Sequence, residues 1–575
     1  MRPAANPALS VRLPVWRARL LLLLVFSAFM VLAARAFYLQ GLHKDFLQRK
    51  GESRYGRVIE ISAHRGTIVD RNGEPLAVST PVESVWASPA DAKLSAEQRV
   101  KLAKLLQVNP KELQRRLSEN EREFVYLKRH LPPDEAARIV SLDLPGVFLK
   151  REYRRYYPGA EVTAQLLGFT SVDDGGQEGI ELAYQEWLAG KPGSRRVIKD
   201  RLGRVVEDVE SISAPQQGKT LQLSIDNRIQ YLAFRELKDA VIEQSARAGS
   251  MVVLDARTGE IVALANWPSY NPNNRDTFST SRARNRAAVD LFEPGSTLKP
   301  FTAAAAIEAG TVNPDSMIDT APGRMKVGNR TIRDVHPEGV LTVSQVIQRS
   351  SNVGSAKLAL AMPARELWKI LDAAGFGSAP RSGFPGEVSG QLRAHQHWKP
   401  IEQATMSYGH GMSVSLLQLA RAYTVFAADG ELLPLTFLRR DEPVRAKRVL
   451  SARTARTVRA MLETVTHPGG TALQAQVTGY RVAGKTGTAH KPVDGAYSPD
   501  RYVSSFVGFA PATEPRLVIA VMIDEPGGRQ YYGGEVAAPV FSRVMAGSLR
   551  LMGVAPDSVG PRTPSRTAWL LREKV

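Results

Sequence analysis

Fifteen consecutive uncharged residues, Leu20–Ala34, stand directly behind a flank that carries Arg2, Arg12, Arg17 and Arg19. No acid precedes Asp45. Arg35 interrupts the run, and Ala36, Phe37, Tyr38 and Leu39 extend it to about 20 residues, which as a helix reach ~30 Å, the thickness of a bilayer core. Arg35 lies near enough to the end to snorkel toward headgroups. The basic flank should stay in the cytoplasm, so the remaining chain folds outside it. Ala34-Arg35-Ala36 also fits the cleavage site of a signal peptide. A buried core helix is the third reading, and it leaves the charge asymmetry unexplained.

The 575-residue remainder and anchor together are 43% hydrophobic and 23% charged. That is ordinary globular composition, which excludes a mostly disordered chain and a polytopic membrane protein. There are no cysteines. A disulfide scaffold, an iron–sulfur cluster, a Cys zinc site and a Cys nucleophile are thereby excluded. Lys and Arg (76) exceed Asp and Glu (57), for a net charge of +19. Such an excess favours polyanions or an anionic membrane surface as neighbours.

Beyond the anchor the chain reads in two styles. Residues 40–217 are mixed and irregular. Ile59–Ala77 alternates like strands around an Asn72-Gly73 turn. Leu94–Leu106, Pro110–Leu117 and Glu178–Ala189 read as helices, and the basic, tyrosine-bearing stretch Arg151–Tyr157 as a solvated strand face. From residue 218 to 553 the pattern is regular. Ile225–Gln244 places Ile229, Leu232, Ala233, Leu237, Ala240 and Val241 on one helical face. Met251–Asp255 and Glu260–Ala265 form a strand pair, helices such as Leu416–Asp429 follow, and Arg481–Thr488, Ser505–Ala510 and Leu517–Ile523 are again strand-like. Two strands early and three late predict an α+β domain whose single sheet is closed by both ends of the segment. Residues 554–575, rich in Pro, Ser and Arg, read as a flexible tail.

Three short motifs carry the chemistry. Ser296-Thr297-Leu298-Lys299 opens a helical run to about Ala309, after the break at Glu293-Pro294-Gly295. Residues i and i+3 share a helix face, so the Lys299 amine can reach the Ser296 hydroxyl. A serine needs an adjacent base to become a nucleophile, and lysine serves only with a lowered pKa. Ser350-Ser351-Asn352 supplies a hydroxyl to relay a proton and an amide to hold a peptide group. Lys485-Thr486-Gly487-Thr488 sits in a strand-like segment. Lys485 and the Thr486 and Thr488 hydroxyls suit a carboxylate, and Gly487 lets a ligand backbone approach. The N–H groups of Ser296 and Thr488 could form an oxyanion hole. Gly479–Thr486 (GYRVAGKT) also fits the phosphate-loop pattern, but Gly487, Pro492 and Gly495 deny it the following helix. No metal-ligand spacing is present, and His410 reads as a hydrogen-bonded turn residue.

In this order and spacing the motifs resemble those of penicillin-binding proteins. FEPGSTLKP (Phe292–Pro300), SSNVGSAKLAL (Ser350–Leu360), YGHG (Tyr408–Gly411), AGKTGTA (Ala483–Ala489), YYGG (Tyr531–Gly534) and HRGTIVDRNGEPLA (His64–Ala77) resemble the class B, division-specific D,D-transpeptidases. The resemblance implies a penicillin-recognising serine transpeptidase fold, an antiparallel sheet flanked by helices, behind an N-terminal pedestal or dimerisation-type module and one transmembrane helix. It implies division into a cytoplasmic tail (1–19), an anchor (20–39), the pedestal (40–217), the transpeptidase domain (218–553) and the tail (554–575). Ser296 is then the acylated nucleophile, Lys299 its base, Ser350 the proton relay and Asn352 a holder of donor peptide and lysine. Lys485, Thr486, Gly487 and Thr488 receive the donor carboxylate. The implied activity is cross-linking of peptidoglycan stem peptides at the septum of a dividing cell, in the inner membrane, with β-lactams as covalent inhibitors. No cofactor or nucleic acid is implied. A polytopic glycan polymerase and other divisome membrane proteins are the implied partners. A D-Ala-D-Ala carboxypeptidase, an elongation-type enzyme, and a non-catalytic recruiting or sensing subunit remain as alternatives.

Overall fold

A computed structural model describes residues 14–42, 56–61, 63–118, 122, 124–199, 205–442, 444–493 and 495–558. The expected tail after residue 558 lies outside them. Val15–Phe37 is one α-helix, continued by a π-helical turn, Tyr38–Leu42. Its 26-residue apolar segment, Val15–Gln40, has a mean hydropathy of 2.4 and is long enough to cross a membrane. No residue of the helix is buried. Trp16 and Tyr38 sit at its ends, each with an arginine over the ring, the placement that suits the two headgroup levels.

By its contacts the chain divides into two units. The first takes in Met1–Ala63, Val82–Glu152 and Lys191–Gln216; the second takes in His64–Pro81, Tyr153–Gly190 and Gln217–Val575. The division therefore runs through the stretch read from sequence as one module. The reason is apolar burial: Ile68, Leu76, Tyr157, Leu166, Ile180 and Leu188 belong to the core of the larger unit.

The smaller unit has its own core of Val85, Leu102, Leu106, Leu113, Leu127 and Ile139. The helix Ala96–Leu106 starts with a capping box between Ser95 and Gln98, which satisfies end N–H groups in both directions. Pro110–Leu117 follows, capped by Asn109. Both helices stand where the apolar spacing put them.

In the larger unit five strands form one antiparallel sheet, in the order Ile261–Trp267, Ala248–Asp255, Leu517–Asp524, Ala496–Ala510, Ala483–Val493. The expected joining of both ends of the segment is thus observed. All residues of Ala248–Asp255 are buried, so this strand has packing on both faces. Asn227–Glu243 and Ala538–Leu551 pack against each other and the sheet, and Leu416–Ala427 packs on it as well. Ala483–Val493 pairs with one neighbour only and is an edge.

Two local expectations change. Glu178–Ala189 forms two short helices, Gly179–Ala183 and Gln185–Leu188, because Tyr184 leaves helical geometry. Arg155 and Tyr157 are buried rather than solvated. Arg155 Nε donates to Glu181 Oε1 (2.6 Å), and Arg65 Nε donates to Glu181 Oε2 (2.7 Å). Glu181 is fully buried between these two guanidinium groups.

Candidate active site

The nucleophile segment begins where Phe292 exchanges backbone hydrogen bonds with Val414 (3.0 and 2.9 Å). Gly295 then takes φ +56°, a conformation that favours glycine. Ser296 lies on a single 3-10 turn, Gly295–Leu298, and the α-helix proper starts at Lys299 and runs to Glu308. The turn is tied down from two sides. Thr297 Oγ1 donates to the Pro294 carbonyl (2.7 Å), and the buried Tyr423 hydroxyl donates to the Thr297 carbonyl (2.7 Å). A Cβ on Gly409 would fall 2.3 Å from the Gly295 carbonyl oxygen, so the Tyr408–Gly411 turn packs directly on the nucleophile turn.

Ser296 opens onto a cavity of about 470 Å³. Asp334, Ser350, Asn352, His410, Thr486, Thr488, Tyr532 and Gly533 also line it. The structure therefore gathers Ser296, Ser350, Asn352, Thr486 and Thr488 around one space. Lys299 and Lys485 lie fully buried beneath them.

The hydrogen bonds refine the expected roles. Lys299 Nζ does not bond Ser296. It donates to the Ser350 carbonyl and, at 3.1 Å, to Ser350 Oγ. Because Lys299 begins the α-helix while Ser296 precedes it on the tighter turn, the amine is free to turn toward Ser350. Lys485 Nζ donates to the same Ser350 Oγ (2.9 Å) and to Thr486 Oγ1 (3.2 Å). One hydroxyl thus stands between two buried amines. Burial without water disfavours the charged form of each amine, and their proximity disfavours charging both. Lys299 is held well below 10.5 by burial first and by Lys485 second, with Asp334 opposing. Burial brings Lys485 down to about 7. A neutral lysine at neutral pH is the form that can accept a proton.

Ser350 ends the helix Val343–Arg349 in the left-handed region, φ 60°. The helix Asn352–Leu360 starts two residues later, capped by Ser351 Oγ, which accepts from Gly354 N (2.8 Å). Asp334 completes this start. Its Oδ1 accepts from Asn352 N (2.5 Å) and Val353 N (2.9 Å), and its Oδ2 accepts from Ser351 Oγ (2.8 Å). A carboxylate also suits the positive end of a helix. Asn352 Nδ2 donates to the Arg333 carbonyl (2.9 Å), so its amide is not engaged with Lys299.

The Lys485–Thr488 segment lies on the edge strand. A Cβ on Gly487 would sit 2.3 Å from Ser505 Oγ, 2.9 Å from Thr297 Cγ2 and 3.0 Å from the Pro294 carbonyl oxygen. Glycine is needed there because the strand passes against the nucleophile turn. Thr486 Oγ1 meets Thr471 Oγ1 (2.9 Å), and Thr488 Oγ1 accepts from Gly533 N (3.1 Å). After Gly479–Thr486 the chain continues as the strand Ala483–Val493, so the phosphate-loop pattern lacks the helix it requires.

Sequence reasoning missed Asp334, which no motif marks and which reaches the Ser351 hydroxyl across 17 residues. It also missed Glu293, whose Oε1 accepts from Gly411 N (2.8 Å) and from the Tyr497 hydroxyl (2.9 Å). The strings FEPGS and YGHG are visible in sequence, but their contact is not.

The chain matches the model of the penicillin binding protein transpeptidase domain over residues 249–546, and that of the penicillin-binding protein dimerisation domain over 60–223. It is 44% identical to "Probable peptidoglycan D,D-transpeptidase PenA" of Neisseria gonorrhoeae, over 93% of this chain and 94% of the relative. It is 44% identical to peptidoglycan D,D-transpeptidase FtsI of Escherichia coli K12, over 95% and 93%. Among solved structures, the apo transpeptidase domain of Burkholderia pseudomallei penicillin-binding protein 3 is similar, with 46% identity and a TM-score of 0.54, covering 58% of this chain and 97% of that one. Relatedness along nearly the full length, together with a matched catalytic domain, makes this chain a member of the penicillin-binding protein transpeptidase family.

Proposed function

We propose that this protein is a peptidoglycan D,D-transpeptidase that cross-links stem peptides during septal wall synthesis, and that β-lactams acylate it. The observation that carries the reading is the Ser350 hydroxyl held between two buried, pKa-lowered lysines beside the Ser296 cavity. Ser296 Oγ attacks the carbonyl of the penultimate D-Ala and gives its proton to Lys299. The tetrahedral oxyanion is received by the Ser296 and Thr488 N–H groups. Ser350 passes the proton to the leaving D-Ala nitrogen as the C–N bond breaks. Lys485, Thr486 and Thr488 hold the donor carboxylate, Gly487 leaves room for it, and Asn352 contacts the donor peptide. An amine from a neighbouring stem then displaces Ser296. No cofactor enters these steps.

The same reading places the catalytic part outside the cytoplasm, with a tail over 1–19, a retained anchor over 20–39, a pedestal over 40–217, the transpeptidase domain over 218–553 and a tail over 554–575. Its support is the arginine-rich flank before the apolar helix. The anchor and pedestal are the surfaces for a polytopic glycan polymerase and other divisome proteins.

Intact mass after brief exposure to a penicillin, beside Ser296→Ala, tests the reading. One stable adduct, absent in the variant, supports it. Penicillin left intact by a folded protein points to a recruiting subunit, and penicillin consumed without an adduct points to a hydrolase.

A further inference from the structure

The acyl-transfer steps give no task to His410, one of several titratable groups of the cavity, which Asp334, His336, Glu338 and Glu535 also line. His410 lines the same space as Ser296, Ser350 and Thr488. Its Nδ1 is buried and has no hydrogen-bond partner. The residue nonetheless borders the cavity. As expected of a turn residue, its backbone N–H donates to the Thr405 carbonyl (3.1 Å).

The surroundings fix this ring and set its charge. It packs edge-on to Tyr408 (5.2 Å between centroids) and to Tyr497 (6.2 Å). The next residue's N–H and the Tyr497 hydroxyl both bond the Glu293 carboxylate. Glu293 and the Tyr408 carbonyl favour a charged ring, while burial, Lys299 and His490 oppose it. Burial is the largest influence and holds the ring below 6.5. Burial thus favours the neutral imidazole, whose Nδ1 has no partner, while the Glu293 carboxylate favours the imidazolium.

The second half of the reaction needs such a group. The acceptor arrives as an ammonium with three protons, and the amide it becomes keeps one. As the N–C bond forms and the C–Oγ bond breaks, one proton returns to Ser296 Oγ through Lys299 and Ser350. That relay emptied itself onto the leaving D-Ala, so it can carry one proton and no more. The other proton has no taker there. We propose that His410 is the base that removes this second proton from the acceptor ammonium and passes it to solvent, a role that rests on the transpeptidase reading above. Nothing is oxidised or reduced; D-Ala left in the first half of the reaction, and Ser296 Oγ is the leaving group in this one.

The experiment uses the full-length protein with a thioester donor ending in a D-alanyl thiolate and a D-amino acid as acceptor. Aminolysis and hydrolysis products are measured from pH 5.5 to 9.5, and penicillin acylation is measured separately. In His410→Gln, acylation should stay within about threefold, while aminolysis at pH 7 should fall about a hundredfold, the scale of general-base catalysis. The deficit should shrink toward pH 9.5, where more of the acceptor is already neutral. His410→Tyr, which keeps an aromatic tip but is no base at pH 7, should show the same pattern. An equal fall in acylation and aminolysis, a deficit independent of pH, or a His410→Tyr variant that aminolyses like the wild type overturns the role. A wild type that acylates but passes its acyl group to no amine overturns the transpeptidase reading, and the His410 role with it. A wild type that cross-links while His410→Gln keeps pace overturns the His410 role alone.

Discussion

Asp334 offers the sharpest test of how the site is held. In Asp334→Ala the N–H groups of Asn352 and Val353 and the Ser351 hydroxyl lose their acceptor. Hydrogen bonds to a charged group contribute roughly 1.5–3 kcal/mol each. Three would sum to well over 4, but Asp334 is only half-buried, so water replaces part of the loss. A net cost of about 2–3 kcal/mol remains, above the ~1 kcal/mol of a single lost helix cap, because two N–H groups and a hydroxyl lose their acceptor together. Ser350 then shifts relative to Lys299 and Lys485. A 1 Å displacement in a catalytic array costs on the order of a hundredfold in rate.

Penicillin acylation of Asp334→Ala, followed by stopped flow, should therefore fall ten- to a hundredfold, with a thermal midpoint lower by several degrees. Asp334→Asn separates geometry from charge. Its amide oxygen still accepts the two backbone bonds, so acylation should fall less than tenfold. Its lost charge removes the one influence that raises the Lys299 pKa. Acylation needs neutral Lys299, so the acid limb of its pH profile should move to lower pH. Wild-type rates and stability in Asp334→Ala, or an acid limb moving upward in Asp334→Asn, would refute the reasoning.

Two further outcomes follow from buried charge. Glu181→Gln leaves the Arg65 and Arg155 guanidinium groups buried without a counter-ion; unfolding should become about 3–5 kcal/mol easier, measurable by denaturant titration, and a loss below 1 kcal/mol would refute it. Lys485 binds a proton near pH 7 when folded and near 10.5 when unfolded, so the unfolded state holds more protons between those values and wild-type stability rises with pH across that window. At 1.36 kcal/mol per unit this is up to about 5 kcal/mol; Lys485→Met should lose acylation yet melt above wild type at pH 6, with the advantage shrinking by pH 9.

Much of the fold is legible because it rests on periodicity. The helix Asn227–Glu243 buries Ile229, Ala233, Leu237, Ala240 and Val241, five of the six positions that share a face in sequence; Leu232 is only half-buried. The strand Leu517–Asp524 is apolar without alternation because helices cover both faces. The catalytic residues are legible for another reason. Three motifs far apart in sequence are each chemically incomplete, and only a sheet edge beside a helix start can combine them. What stays hidden is long-range and polar. Glu181 lies 116 residues from Arg65, and a Glu amid EGIELAYQEW reads as helix surface until its partners are known. The i,i+3 spacing predicts Lys299 within reach of Ser296 on one α-helix, whereas Ser296 stands on a 3-10 turn before that helix begins.

That last difference carries its own meaning. A lysine bonded to Ser296 from the outset would have to break that bond to reach the leaving amine. Turned toward Ser350, Lys299 rests on the side where the proton is delivered, and the shared hydroxyl couples it to Lys485. Two buried amines on one oxygen disfavour charging both, so protonating one lowers the proton affinity of the other. In the proposed reaction, a proton entering from Ser296 would therefore be pushed onward to the leaving group instead of being stored. The device needs both lysines fully enclosed, which is why the sheet edge and the nucleophile helix must close over them, and why a glycine at 487 is required for that closure.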